Sequence, residues 1–194
     1  MQLEYLDREA YRNKNTPCFI NQLHERHGDF YLLPEGGSNR LALKGCAEIV
    51  TDINIPFDTV TVACGTGATL AGMAGALNPD QRAMGFAVLK GANFLNLDVA
   101  RMLAEIARQS TCNWKINLDY HFGGYAKISP ELIEFIGQFK TEFGIELDAV
   151  YTGKMFFGLF DLISKGAFDK GTRIVAVHTG GLQGNAGFPE LASV

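Results

Sequence analysis

The chain has 194 residues, enough for one ordinary domain with a sizeable core or for one and a half small ones. A formal net charge of −4 leaves no surplus of Lys and Arg to neutralise phosphates, which argues against a nucleic-acid partner. Hydrophobic residues make up 47% and charged residues 20%, ordinary for a soluble globular protein, and no run of about 18 apolar residues could span a bilayer.

Met1-Gln2-Leu3-Glu4-Tyr5 lacks the basic-then-apolar order of a signal peptide. Cys18, Cys46, Cys64 and Cys112 form no CxxC pair and have no His at ligand spacing, so no metal site is expected. Scattered cysteines without an export signal read as reduced thiols in the cytoplasm.

In chain order, Arg8 to Lys14 is polar and reads as helical, and Phe30-Tyr31-Leu32-Leu33 reads as a short strand. Pro34-Glu35-Gly36-Gly37-Ser38-Asn39 is a loop. Thr59 to Cys64 is a buried strand, followed by a helix over Leu70 to Leu77 and a strand over Ala83 to Leu89. Asp98 to Gln109 is an amphipathic helix, with Val99, Met102, Leu103 and Ile106 on one stripe. Trp114 to Leu118 reads as a strand. Ser129 then caps a helix that starts with Pro130 and runs to Phe143. Met155, Phe156, Phe157, Leu159, Phe160 and Ile163 form a helix face, suited to core or homodimer packing, and Arg173 to Val177 is a last strand. Strands alternating with helices predict a three-layer α/β domain with a mainly parallel sheet. Such a domain normally begins with a strand feeding a helix, and this chain begins differently; it reads as a fragment.

Cys64-Gly65-Thr66-Gly67-Ala68-Thr69 lies between a predicted strand and a predicted helix. Its glycines let successive amides converge on one point, and Thr66 and Thr69 add hydroxyls, a cup suited to a phosphate. Any strand-to-helix turn can also use glycine. A dinucleotide fingerprint fails, because Leu70 stands where the third glycine belongs and Gly85-Phe86 where an acidic residue would be. A Walker loop fails for want of a lysine after Gly67.

Five motifs occur together in order: Pro34 to Asn39, the Gly65 to Thr69 loop with Leu70-Ala71-Gly72 behind it, Gly124-Tyr125, Tyr151-Thr152-Gly153-Lys154, and His178-Thr179-Gly180-Gly181. In this the chain resembles the D-cysteine desulfhydrases and 1-aminocyclopropane-1-carboxylate deaminases, pyridoxal-phosphate enzymes of the tryptophan-synthase-β fold type. The resemblance implies an incomplete second lobe, with residues 1–50 a remnant of the smaller lobe and residues 51–194 the cofactor-phosphate domain. It implies that Gly65, Thr66, Gly67, Ala68 and Thr69 cradle the phosphate of pyridoxal 5'-phosphate. Tyr151 would lie against the pyridine ring as a base or nucleophile. Tyr125 would stand nearby, setting its ionisation or holding a substrate carboxylate. Thr152 would face the pyridine nitrogen. The substrate implied is a small amino acid. The family's ring-opening deaminases carry Glu at the position of Thr152 and Leu at that of Thr179; threonine at both resembles the desulfhydrase branch, whose β-elimination is served by a weaker electron sink.

Two of the family's parts have no counterpart. Its cofactor-anchoring lysine sits in a Gly-Asn-Lys segment and its acid/base serine in a following Ser-Asn stretch. Asn13-Lys14-Asn15 lacks the flanking residues, Lys154 matches a family lysine that is not the anchor, and Lys44 and Lys90 read as solvated. The expectation is therefore part of an α,β-eliminating enzyme, inactive alone. The alternative is a non-catalytic α/β domain that binds a phosphorylated ligand. Read blandly, Tyr151 is a core aromatic at a strand end, Tyr125 a loop anchor, His178 a hydrogen-bonded core histidine and Trp114 a packed strand residue.

Overall fold

A computed structural model describes residues 3–106 and 113–193. Two compact units divide between Leu33 and Pro34. In the first, the Asp7 carboxylate accepts from the amides of Glu9 and Ala10 and starts α1, Arg8–Arg12. Thr16 caps α2, Pro17–His27, whose first residue is a proline that has no amide to satisfy. α2 falls where the sequence reading gives no element, although Thr16-Pro17 is a start signal. Neither helix buries a residue. The strand expected at Phe30–Leu33 does not form: Phe30 stacks on His24, 4.4 Å between ring centroids, and the four strands of the described sheet all lie in the second unit.

The second unit opens with α3, Arg40–Thr51, begun by Asn39 accepting from Leu41 and Ala42 at 2.9 Å each. Then follow β1 (Thr59–Cys64), α4 (Ala68–Ala74), β2 (Arg82–Ala87), α5 (Phe94–Glu105), β3 (Asn113–Asn117), α6 (Pro130–Phe143), α7 (Thr152–Ser164) and β4 (Ile174–Ala176). The sheet runs β3-β2-β1-β4 with every pairing parallel; Thr59 stands beside Arg82 and Ile174, and Arg82 beside Asn113. The α/β class, the parallel sheet and the Ser129-capped helix are as expected. α5 starts four residues before the expected Asp98, and the expected residues Ala107 to Gln109, like Cys112, lie outside the described residues.

Strand periodicity builds the layers. Val60, Val62 and Cys64 of β1 and Ala83 and Ala87 of β2 join one core with Leu43 of α3, Leu70 and Met73 of α4 and Leu95 and Val99 of α5. Met84 and Phe86 of β2 point the other way, onto Met155 and Leu159 of α7. A third cluster joins α6, through Leu132, Ile136 and Phe139, to Leu147 and Ala149. At the amino ends of the strands Arg173 grips Asp58 with two side-chain bonds, 2.6 and 3.1 Å, and a backbone bond of 2.7 Å. Among the described residues no helix is long and apolar enough to cross a membrane.

Candidate active site

A cleft of about 700 Å³ opens outside the carboxyl ends of β1 and β2, where parallel α/β sheets hold their ligands. Its walls are Glu35 and Gly36, Ala63, Gly65, Thr66 and Thr69, Leu89, Tyr125, Tyr151, Thr179 to Gly181, and Gln183. A smaller cleft of about 320 Å³, at the amino ends of the strands, is lined by Thr59, Arg82, Trp114 and Asp169 and holds none of the expected site residues.

The loop after β1 forms the floor. Gly67 has φ +82, and a Cβ there would also stand 2.7 Å from Val99 Cγ2, so only glycine fits. No side chain caps α4, so its first amides are not taken by a cap. A Cβ on Gly65 would press on Tyr151 Cε1 at 3.2 Å. Ser38 Oγ donates to Thr66 Oγ1 at 2.7 Å, which ties the Pro34–Asn39 loop to this one. Gly65, Thr66 and Thr69 line the cleft; Gly67 and Ala68 are buried behind it.

Tyr151 does not end a strand. Residues 145–148 belong to no helix or strand, and Tyr151 is the residue before the first turn of α7. Asp148, 1% exposed, sets its place. Oδ1 accepts from the amides of Val150 (2.9 Å) and Tyr151 (2.7 Å), and Oδ2 from the amide (2.8 Å) and hydroxyl (2.6 Å) of Thr152. The rings of Tyr125 and Tyr151 meet at 6.0 Å between centroids, 73° apart. Burial first, and then the Tyr125 phenol and the charge of Asp148, push the Tyr151 hydroxyl pKa well above the ordinary tyrosine value. At neutral pH it is a proton-holding phenol, not a phenolate.

Thr152, expected at the pyridine nitrogen, lies behind the cleft wall. It is 0% exposed, and its hydroxyl donates to Asp148 Oδ2 while accepting from the Asp148 amide at 2.9 Å. Its role is to close the cap on Asp148. Thr179 does line the cleft. His178 holds that turn: Nδ1 accepts from the Gly180 amide at 3.1 Å and Nε2–H donates to the Glu146 carbonyl at 2.8 Å, which fixes the tautomer. His178 is hydrogen-bonded but half-buried, not a core residue, because its turn runs along the cleft rim.

No lysine lines the cleft among the described residues. Lys44 and Lys90 are exposed. Lys154 is 0% exposed and donates to the carbonyls of His121 (3.0 Å) and Gly124 (2.7 Å); burial lowers its pKa to about 8. Asp148, Leu89 and Gln183 enter the site without having been singled out from the sequence. For Asp148 a signal existed: a carboxylate four residues ahead of a threonine at a helix start is a capping arrangement. Leu89 and Gln183 carry no such signal.

The family model for pyridoxal-phosphate dependent enzymes matches residues 7–180. A Pyrococcus horikoshii protein that carries a provisional name as a 1-aminocyclopropane-1-carboxylate deaminase is 37% identical over 164 residues, covering 79% of this chain and 50% of the relative. The Arabidopsis thaliana mitochondrial bifunctional D-cysteine desulfhydrase/1-aminocyclopropane-1-carboxylate deaminase is 31% identical over 199 residues, covering 92% and 49%. The crystal structure of an ACC deaminase homologue superposes with a TM-score of 0.79 at 31% identity, covering 98% of this chain and 62% of that one. The chain thus spans about half the length of these curated relatives. With most of its length matched, and with the fold shared, the chain belongs to the pyridoxal-phosphate-dependent enzymes.

Proposed function

We propose that this chain forms the phosphate-and-ring side of a pyridoxal-phosphate site for α,β-elimination or deamination of a small amino acid such as D-cysteine or 1-aminocyclopropane-1-carboxylate. One observation carries the reading: Gly65, Thr66, Thr69, Tyr125, Tyr151 and Thr179 line a single cleft of a size suited to the cofactor. The cofactor, when bound, supplies the electron sink. The amides of the Gly65–Thr69 loop bind the phosphate, and the Thr66 and Thr69 hydroxyls add donors. Tyr151, protonated at neutral pH, holds a proton at its hydroxyl and delivers it before it can accept one. Tyr125 borders the same space and orients the substrate. Threonine rather than leucine at position 179, on the cleft wall, supports desulfhydration over ring opening.

Covalent anchoring has no counterpart in the cleft lining, so the proposal includes slow or no turnover by these 194 residues alone. The same observation favours the second reading, a non-catalytic domain that binds a phosphorylated ligand. Calorimetric titration with pyridoxal phosphate, pyridoxal and inorganic phosphate decides between them. Tighter binding of the whole cofactor than of phosphate supports the enzyme site. Equal binding of both supports the phosphate-only domain.

A further inference from the structure

Lys154 is a fully buried cation that the proposed chemistry does not use. It lies in the first turn of α7, three positions after Tyr151, the residue that precedes the helix. Tyr151 lines the cleft, whereas the Lys154 side chain is fully buried. Its ammonium donates to the carbonyls of His121 and Gly124, the first residues of two successive turns, 121–124 and 124–127, the second of which contains Tyr125.

These turns need outside support. Phe122 and Ala126, neither of them glycine, both have φ +52, in the left-handed region that L-residues avoid. Within them the Gly124 amide donates to the His121 carbonyl at 3.0 Å and the Lys127 amide to the Gly124 carbonyl at 3.1 Å. The two carbonyls that receive Lys154 are thus the ones that already close the turns, and the cation reinforces both. Phe122, in the first turn, packs edge-on against Phe157 of α7, 5.0 Å between centroids. A buried ammonium is costly, and an apolar residue would fill the slot without that cost. Its placement makes sense as a rod from α7 to these turns, so that one helix fixes both tyrosines.

We propose that Lys154 is a positioning residue which, through His121 and Gly124, holds Tyr125 against Tyr151 and so shapes the working end of the cleft. Its functional meaning rests on the reading of Tyr125 and Tyr151 as site residues; the geometry itself does not.

The test uses the ligand-free 194-residue chain with tyrosine and phenylalanine ring labels. In the native protein, NOEs should connect the rings of Tyr125 and Tyr151, whose centroids lie 6.0 Å apart. In Lys154→Met, which keeps the stem and removes the charge, those NOEs are lost, whereas the Phe139–Phe156 NOEs between α6 and α7 remain. Loss of both sets, or retention of both, overturns the proposal. Should Lys154→Met not fold, the native ammonium decides. A slowly exchanging Lys154 Nζ signal coupled across hydrogen bonds to the carbonyl carbons of residues 121 and 124 supports the clamp, and rapid exchange like that of a surface lysine overturns it. Failure of pyridoxal phosphate to bind would sink the proposed function and leave these NOEs as they are.

Discussion

Tyr125 and Tyr151 meet edge to face at the mouth of the cleft, one from a turn after β3 and the other from the start of α7, 6.0 Å between ring centroids. Tyr125 is 56% exposed and Tyr151 half-buried, so the inner phenol bears the burial. Two of the six tyrosines, Tyr151 and Tyr120, should therefore ionise last in a pH titration followed by the ring carbons. For Tyr120, burial and the Asp161 carboxylate that accepts its hydrogen bond raise the pKa to about 12. Tyr125→Phe should bring Tyr151 part of the way down and leave Tyr120 unmoved. A Tyr151 that ionises at the ordinary tyrosine value would remove the basis for treating it as a proton donor.

Gly67→Ala tests the phosphate loop. The new methyl group meets Val99 in a left-handed conformation that costs an alanine roughly 1–2 kcal/mol before any clash is counted. The urea midpoint should fall accordingly, and affinity for inorganic phosphate should fall beyond what the lost stability explains. Unchanged phosphate binding in a folded variant would mean that the loop amides are not the anion site.

Asp148→Ala strands three amides and a hydroxyl in the interior, with a loss of about 2–4 kcal/mol expected in urea unfolding. Asp148→Asn keeps one carbonyl oxygen for Val150 and Tyr151 and should cost less. It turns an amide group toward Thr152, so Thr152→Val should be less damaging in that background than in the native one. Additive effects of the two substitutions would show that Thr152 does not act through Asp148.

The sheet was legible because each central strand is a β-branched or apolar run followed by a glycine or loop, as in Thr59 to Cys64. Ser129-Pro130 announced α6 for the same local reason: cap and first-turn residue are neighbours in sequence. The cleft was legible where backbone chemistry dictates it, at Gly65 to Thr69. The buried setting of Thr152 was not legible, because the orientation of a side chain at a helix start depends on what caps the helix, and the cap here is Asp148, four residues away. The strand expected at Phe30 to Leu33 failed because an apolar run becomes a strand only beside a partner, and pairing is a tertiary property.

Acid stability should report the Asp58–Arg173 link between β1 and β4. Hydrogen bonds from Arg173, side chain first and backbone second, lower the Asp58 pKa from 3.8 to about 2. A carboxyl whose pKa is depressed by folding adds stability that is full above its unfolded pKa and is lost as pH falls through the folded one. The native protein should thus lose this contribution between about pH 4 and pH 2. Asp58→Asn should be less stable at pH 6 and should show a shallower fall across that window. An identical pH dependence in both proteins would mean that the exposed pair contributes nothing measurable.

Lys154 should resist modification by pyridoxal phosphate. A cofactor-anchoring lysine must present a free amine to the cofactor aldehyde, and Lys154 is buried with its ammonium bonded to two carbonyls and out of the cleft lining. Its lowered pKa, about 8, would by itself favour a reactive amine, but access decides the matter. Borohydride reduction in the presence of pyridoxal phosphate, read by peptide mass mapping, should mark exposed residues such as Lys44 and Lys90 and leave Lys154 unmarked. Hydrogen sulfide release from D-cysteine should be absent in the same preparation, because among the described residues no lysine lines the cleft to take the anchoring role. Selective labelling of Lys154, together with turnover abolished by Lys154→Ala, would make it the anchor and overturn its assignment as a clamp on Tyr125.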